Sequence, residues 1–144
     1  MRLSSLSAIF CVLFLGFFSE VNAACHHGGH DSIWEKTGQK YSECINKAEG
    51  VHPKIISCIR GEISRQDKII ENKTADAAKN LLTADLISSI SKSKRVWEKY
   101  VRESCGLYGE LGGQRSELLI ENCVLKEVMW RGVFIDDLIS EADL

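Results

Sequence analysis

Residues 82–105, LTADLISSISKSKRVWEKYVRESC, are the stretch on which the fold is decided. Leu82, Leu86, Ile90, Trp97, Val101 and Cys105 recur at steps of four and seven, so a helix gathers them into one stripe that faces a core. Strict apolar–polar alternation, the pattern of a half-buried strand, is almost absent here and in the rest of the chain. The spacing predicts a helix from about Ala75 to Cys105, the longest of the protein. Immediately upstream, Asn72-Lys73-Thr74 reads as a break with Thr74 as the N-cap of that helix. The same triplet is a glycosylation sequon, which matters only in a eukaryotic secretory pathway.

Outward from this stretch the period stays helical. A preceding helix carries Ile55, Ile56, Ile59, Ile63, Ile69 and Ile70, with Gly61 weakening it locally. Gly50 and Pro53, the only proline, mark a turn before it. A first helix from about Asp31 to Ala48 aligns Ile33, Trp34, Tyr41, Cys44, Ile45 and Ala48. Downstream, the glycine-rich run from Gly106 to Gly113 cannot continue a stable helix, and a fourth helix is expected from about Ser116 to Ile139. No internal repeat is present. The expected fold is all-α: a small disulfide-stapled bundle of about four helices arranged as paired hairpins.

The N-terminus points to export. Arg2 precedes an apolar run from Leu6 to Phe18, and Val21 and Ala23 occupy the −3 and −1 positions of a small-residue cleavage site. Residues 1–23 therefore read as a signal peptide, too short in apolar length for a membrane span of roughly 20 residues. A lipoprotein acylated on Cys25 would need a large apolar residue where Asn22 stands. The expected organisation is a signal peptide (1–23), a flexible His-rich tail (24–30) and one helical domain (31–144), periplasmic or secreted.

The chain has 144 residues and a net charge of −2, which Arg2 and Glu20 leave unchanged when they depart together. Nothing resembles the basic footprint of a nucleic-acid binder. Of the six cysteines, Cys11 lies in the signal; Cys25, Cys44, Cys58, Cys105 and Cys123 remain. In an exported chain they imply disulfides with one left over. Cys44–Cys58 and Cys105–Cys123 are favoured among the three pairings of four cysteines, because each staples two helices across a turn. Each closes a loop of roughly 15–20 residues, worth about 3 kcal/mol in the chain-entropy treatment. Cys25 is left free or able to link two copies. The spacings fit no zinc finger or ribbon.

Catalysis lacks a constellation: there is no G-x-S-x-G, no H-E-x-x-H and no phosphate-binding loop. Of His26, His27, His30 and His52, three lie in the tail. Cleavage after Ala23 would make His26 the third residue. Its imidazole, the free amine and two backbone amides then form the tetragonal nitrogen set that copper(II) or nickel(II) prefers. A plain tail is the alternative, and no other cofactor is expected.

The segment from Cys44 to Ile135 resembles the lysozyme inhibitor LprI-like family. The residues that carry the resemblance are Cys58 followed by Glu62, Asp67 and Ile70, then Arg95, Trp97 and Tyr100 before Cys105. Gly112-Gly113 before Cys123, and Arg131 after it, complete the pattern. Glu71 and Thr74, and Val101 and Arg102, depart from it. The resemblance implies a helical scaffold built on Asp67, Trp97, Tyr100, Gly112, Gly113 and Arg131, with Cys44 as partner of Cys58, and a protein partner such as lysozyme.

Two surfaces are candidates for that partner. Tyr108 and Glu110 stand in the glycine-rich loop, tethered at its base by the Cys105–Cys123 pair, so little ordering entropy is lost when the loop enters a cleft. Glu110 would attract a basic lysozyme, and Tyr108 would stack in its sugar sites; a plain helix connection is the alternative. The second surface is the helix face around Arg95 and Arg102. Trp97 and the arginines are common binding hot spots. The competing expectation puts Trp97 in the core and pairs Arg95 or Arg131 with Glu62 or Asp67. The chain thus reads as an exported protein acting by binding, with lysozyme inhibition in a bacterial envelope implied by the resemblance. The alternatives are a structural or metal-handling envelope protein, and an immunity protein against a rival's cell-wall hydrolase.

Overall fold

The computed structural model describes residues 32–144. The expected signal peptide (1–23) and the expected tail (24–30), with Cys25 and His26, lie outside the described residues. The described chain begins with a 3-10 turn, Ser32–Lys36, and continues through four α-helices: α1 (Gln39–Ala48), α2 (His52–Asn80), α3 (Ala84–Gly106) and α4 (Gln114–Ala142). A second 3-10 turn, Leu107–Leu111, joins α3 to α4. The fold is all-α, with two disulfide-stapled hairpins.

The first hairpin turns where Glu49 and Gly50 take positive φ of 50° and 77°, which ends α1. Pro53 then sits in the first turn of α2, where its missing N–H removes no helical bond. Cys44 bonds to Cys58 across this turn, Cα–Cα 5.7 Å.

Three boundaries differ from the sequence reading. The expected first helix is interrupted: a 3-10 turn precedes Gly38, which serves as the N-cap of α1. The expected break at Asn72-Lys73-Thr74 does not occur, and α2 runs on to Asn80. The Thr74 hydroxyl donates to the Ile70 carbonyl at 2.8 Å, so it is satisfied inside the helix and caps nothing. Lys73 also reaches Asp136 of α4 at 2.6 Å, and Ala77 is buried. The true break falls at 81–83, where the Thr83 hydroxyl accepts from the Leu86 N–H at 3.2 Å as the N-cap of α3. Consequently α3, with 23 residues, is not the longest helix; α2 and α4 have 29 each.

The third difference is in the glycine-rich run, which forms a 3-10 turn before the chain reverses at Gly112 (φ 67°, ψ 174°) and Gly113 (φ 77°, ψ 171°). Only glycine occupies that region without strain. The Cys105–Cys123 bond, Cα–Cα 5.6 Å, closes the second hairpin below this reversal.

Helix α4 is the central element. One of its faces packs Val128 and Ile135 against Ile70 and Ala77 of α2 and Ile90 of α3. Another packs Leu125 and Met129 against Ile33 of the first 3-10 turn and Ile59 of α2. Both α2 and α3 lean on α4 and scarcely meet each other at the backbone. A groove therefore runs between α2 and α3, with α4 as its floor.

Candidate functional site: the tethered loop and the α2–α3 groove

The loop end of the molecule groups three exposed large apolar side chains, while Val96 with Tyr100 on α3 and Trp130 with Phe134 on α4 form exposed pairs elsewhere. Leu107 is 68 % exposed and Leu111 70 %, and Tyr108 is also exposed between them. Three large apolar side chains on one 3-10 turn lose nothing by meeting a partner, because none of them contributes to either core cluster. The turn is held from below by the Cys105–Cys123 bond. Glu110 is exposed beside Tyr108. The structure thus places both candidate loop residues on an exposed turn, and adds Leu107 and Leu111, which the sequence reading passed over.

The groove contains two cavities that meet at Asp67. The larger, about 360 Å³, opens toward the loop between Ile63 and Asp67 of α2, Trp97, Glu98, Val101 and Arg102 of α3, and Ile120, Val124 and Val128 of α4. The smaller, about 260 Å³, lies further along between Glu71, Thr74, Ile87, Lys94 and Arg131. Lys94 spans the rim, with its ammonium 2.8 Å from Glu71 and 3.9 Å from Glu98.

Arg131 is 6 % exposed, and its guanidinium lies over the Trp97 ring, 5.0 Å from the centroid. Burial lowers its pKa, opposed by the negative charges of Glu98 and Asp67. Trp97 is half-buried and packs on the core formed with Ile70 and Val128. Its ring has one face occupied by a cation, a contact worth roughly 0.5–2 kcal/mol. Asp67 is half-buried, and no donor among the described residues reaches it within hydrogen-bonding distance. Burial raises its pKa, with Lys94 and Arg131 pulling it down and Glu71 and Glu98 pushing it up through charge alone.

The expected pairing of arginines with Glu62 or Asp67 is corrected in detail. Glu62 is taken by Arg65, whose Nε donates to it at 2.7 Å, and by Gln66 at 2.9 Å. Arg131 stacks on Trp97 and meets Asp67 through charge, without a hydrogen bond or ion pair to it. Arg95 points to solvent, and Arg102 is exposed at the mouth of the larger cavity. Tyr100, expected to belong to the scaffold, is 54 % exposed; it lies on the outer face of α3, away from the stripe of Trp97 and Val101. No group of three or more His, Cys, Asp or Glu side chains able to hold a metal occurs among the described residues, and no helix there is long and apolar enough to cross a membrane.

A sequence model of the family described as Antitoxin TsiV3 matches residues 49–144. The chain belongs to the TsiV3 antitoxin family. A relative in Vibrio cholerae serotype O1, the antitoxin protein TsiV3, is 32 % identical over 102 residues, covering 71 % of this chain and 79 % of the relative. No solved structure matches the chain. The resemblance to the lysozyme inhibitor LprI-like family is overturned by this match. The structure supplies the physical reason. Cys44, Cys58, Cys105 and Cys123 form the staples, Gly112-Gly113 the reversal, and Trp97 and Arg131 a packing contact. Those residues define how two hairpins are joined, and say nothing about what binds to them. The antitoxin family implies a protein partner, a toxin, which is the immunity alternative and not the lysozyme reading.

Proposed function

We propose that this chain is an exported immunity protein that binds a toxin acting on the cell wall, and blocks it by inserting the tethered loop into the toxin's cleft. The observation that carries the reading is the loop itself: Leu107, Tyr108 and Leu111 are exposed on a short turn anchored by a disulfide, at one end of a molecule of the antitoxin family. A preorganised apolar tip loses little conformational freedom on docking, so most of its buried area contributes to affinity. Glu110 adds a charge beside that tip for approach to a basic cleft. Two disulfides and the apolar, Arg-led N-terminus with its small-residue cleavage site support action outside the cytoplasm. The protein acts by binding, and its own chemistry is not required.

The test is growth rescue. Candidate toxins of the source strain that attack peptidoglycan are directed to the periplasm and co-expressed with the full chain, with a chain lacking residues 1–23, or with Tyr108→Ala, Leu111→Ala. Rescue is expected from the full chain alone. Rescue by the chain lacking residues 1–23 would overturn the exported site of action. Full rescue by the double variant would overturn the loop as the inhibitory element.

A further inference from the structure

The larger groove cavity has a composition that a structural gap does not need. Its walls are aliphatic, its back is the Trp97 ring, and its only half-buried charged group, Asp67, has no hydrogen-bond donor among the described residues. Partial burial without a donor raises the Asp67 pKa, and the cations that oppose the rise, Lys94 and Arg131, act by charge alone. The cavity adjoins the loop: Cys105 and Ile120 line it, and Gly109 of the 3-10 turn packs toward Ile120. A partner that engages Tyr108 and Leu111 therefore comes within reach of the pocket.

We infer that this pocket is an anchor site for a basic side chain, lysine or arginine, of the protein partner, with Asp67 as its charge partner. The inference rests on the antitoxin reading for the source of that side chain. The aliphatic residues Ile63, Val101, Val124 and Val128 suit the methylene stem, and Asp67 the charged head. The lining of this cavity carries Asp67 and Glu98 against one exposed cation, Arg102, while Lys94 and Arg131, whose charges also reach Asp67, line the neighbouring cavity. An acidic side chain would meet Asp67 at the base, and a neutral apolar one would leave the carboxylate desolvated and without a donor. A buried, well-packed basic side chain meeting a carboxylate is a common interface hot spot.

The experiment follows the amide and indole resonances of the isotope-labelled protein by NMR during titration with the amides of N-acetylarginine, N-acetylnorleucine and N-acetylglutamate. The arginine probe should shift Asp67, the Trp97 indole and Val101 saturably, and bind about tenfold more tightly than the norleucine probe, a difference of about 1.4 kcal/mol. Asp67→Asn should abolish that preference while the protein stays folded. No response to the arginine probe, equal binding of norleucine, preference for glutamate, or an unchanged preference in Asp67→Asn would each overturn the pocket. Growth rescue separates the two readings. A chain that rescues growth yet ignores the arginine probe overturns the pocket alone. A chain that takes the probe yet rescues against no toxin overturns the antitoxin reading, and with it the assignment of the basic group to a toxin.

Discussion

Two acidic residues five positions apart on α2 have opposite environments. Glu62 is almost fully buried, yet its carboxylate receives Arg65, Gln66 and the Gly38 N–H, and Gln66 carries the network on to the Lys36 carbonyl at 3.0 Å. Burial pushes its pKa up, but the hydrogen bonds from Arg65 and Gln66 outweigh that and hold it below the usual carboxylate range. Asp67 is less buried and has no donor, so burial prevails and its pKa is raised. The difference teaches that burial alone does not decide whether an acid stabilises a fold. Glu62 ties the N-terminal turn to α2. Asp67 faces a cavity, and its carboxylate meets Lys94 and Arg131 through charge alone, with no hydrogen bond to either.

The largest expected effect is at Glu62. Glu62→Ala removes the acceptor of three donors and unfastens the Ser32–Lys36 turn, and should cost about 2–4 kcal/mol in a urea melt. A loss under about 1 kcal/mol would show that the network is incidental. Next comes pH. Glu62 has a lowered folded pKa, so its stabilisation is present above the ordinary carboxylate value and is lost as pH falls through the folded one. Asp67 has a raised folded pKa, so the protonated form favours folding, and stability is lost as pH rises from the ordinary value through the raised one. Denaturation at intervals from pH 3 to 7 should therefore show Glu62→Gln flattening the acid limb. Asp67→Asn should gain on the wild type as pH rises. Identical pH profiles for the two variants would break the comparison.

Asp67→Asn at neutral pH should be neutral to stabilising, by up to about 1 kcal/mol, since it removes a half-buried charge with no hydrogen-bond donor. A clear loss of melting temperature would mean that Asp67 belongs to the scaffold after all. The smallest effect is at the loop. Tyr108→Ala and Leu111→Ala should each change stability by less than about 0.5 kcal/mol, as exposed side chains outside both cores. The same two variants should lose growth rescue, so a melting curve beside a rescue assay separates binding from folding.

The local sequence was enough for the class of the fold. Steps of three, four and seven from Ile55 to Ile139, with glycines at the turns, leave no room for a sheet, and the cysteine positions across two turns determine both staples. The Gly112-Gly113 reversal was legible for the same reason: backbone conformation there depends on the residues themselves. Helix ends were less legible. Thr74 has the composition of a cap, and only the path of α2 along α4, with Lys73 reaching Asp136, leaves its hydroxyl on its own helix. The site residues depended on the tertiary structure most of all. Asp67, Trp97 and Arg131 come from three helices, and their proximity follows from α2 and α3 each packing on α4 while standing apart from one another. Nothing local to Asp67 says that it lacks a donor while Glu62, five residues earlier, has three. That is decided by what the opposing helices bring within reach, and a one-dimensional spacing does not contain it.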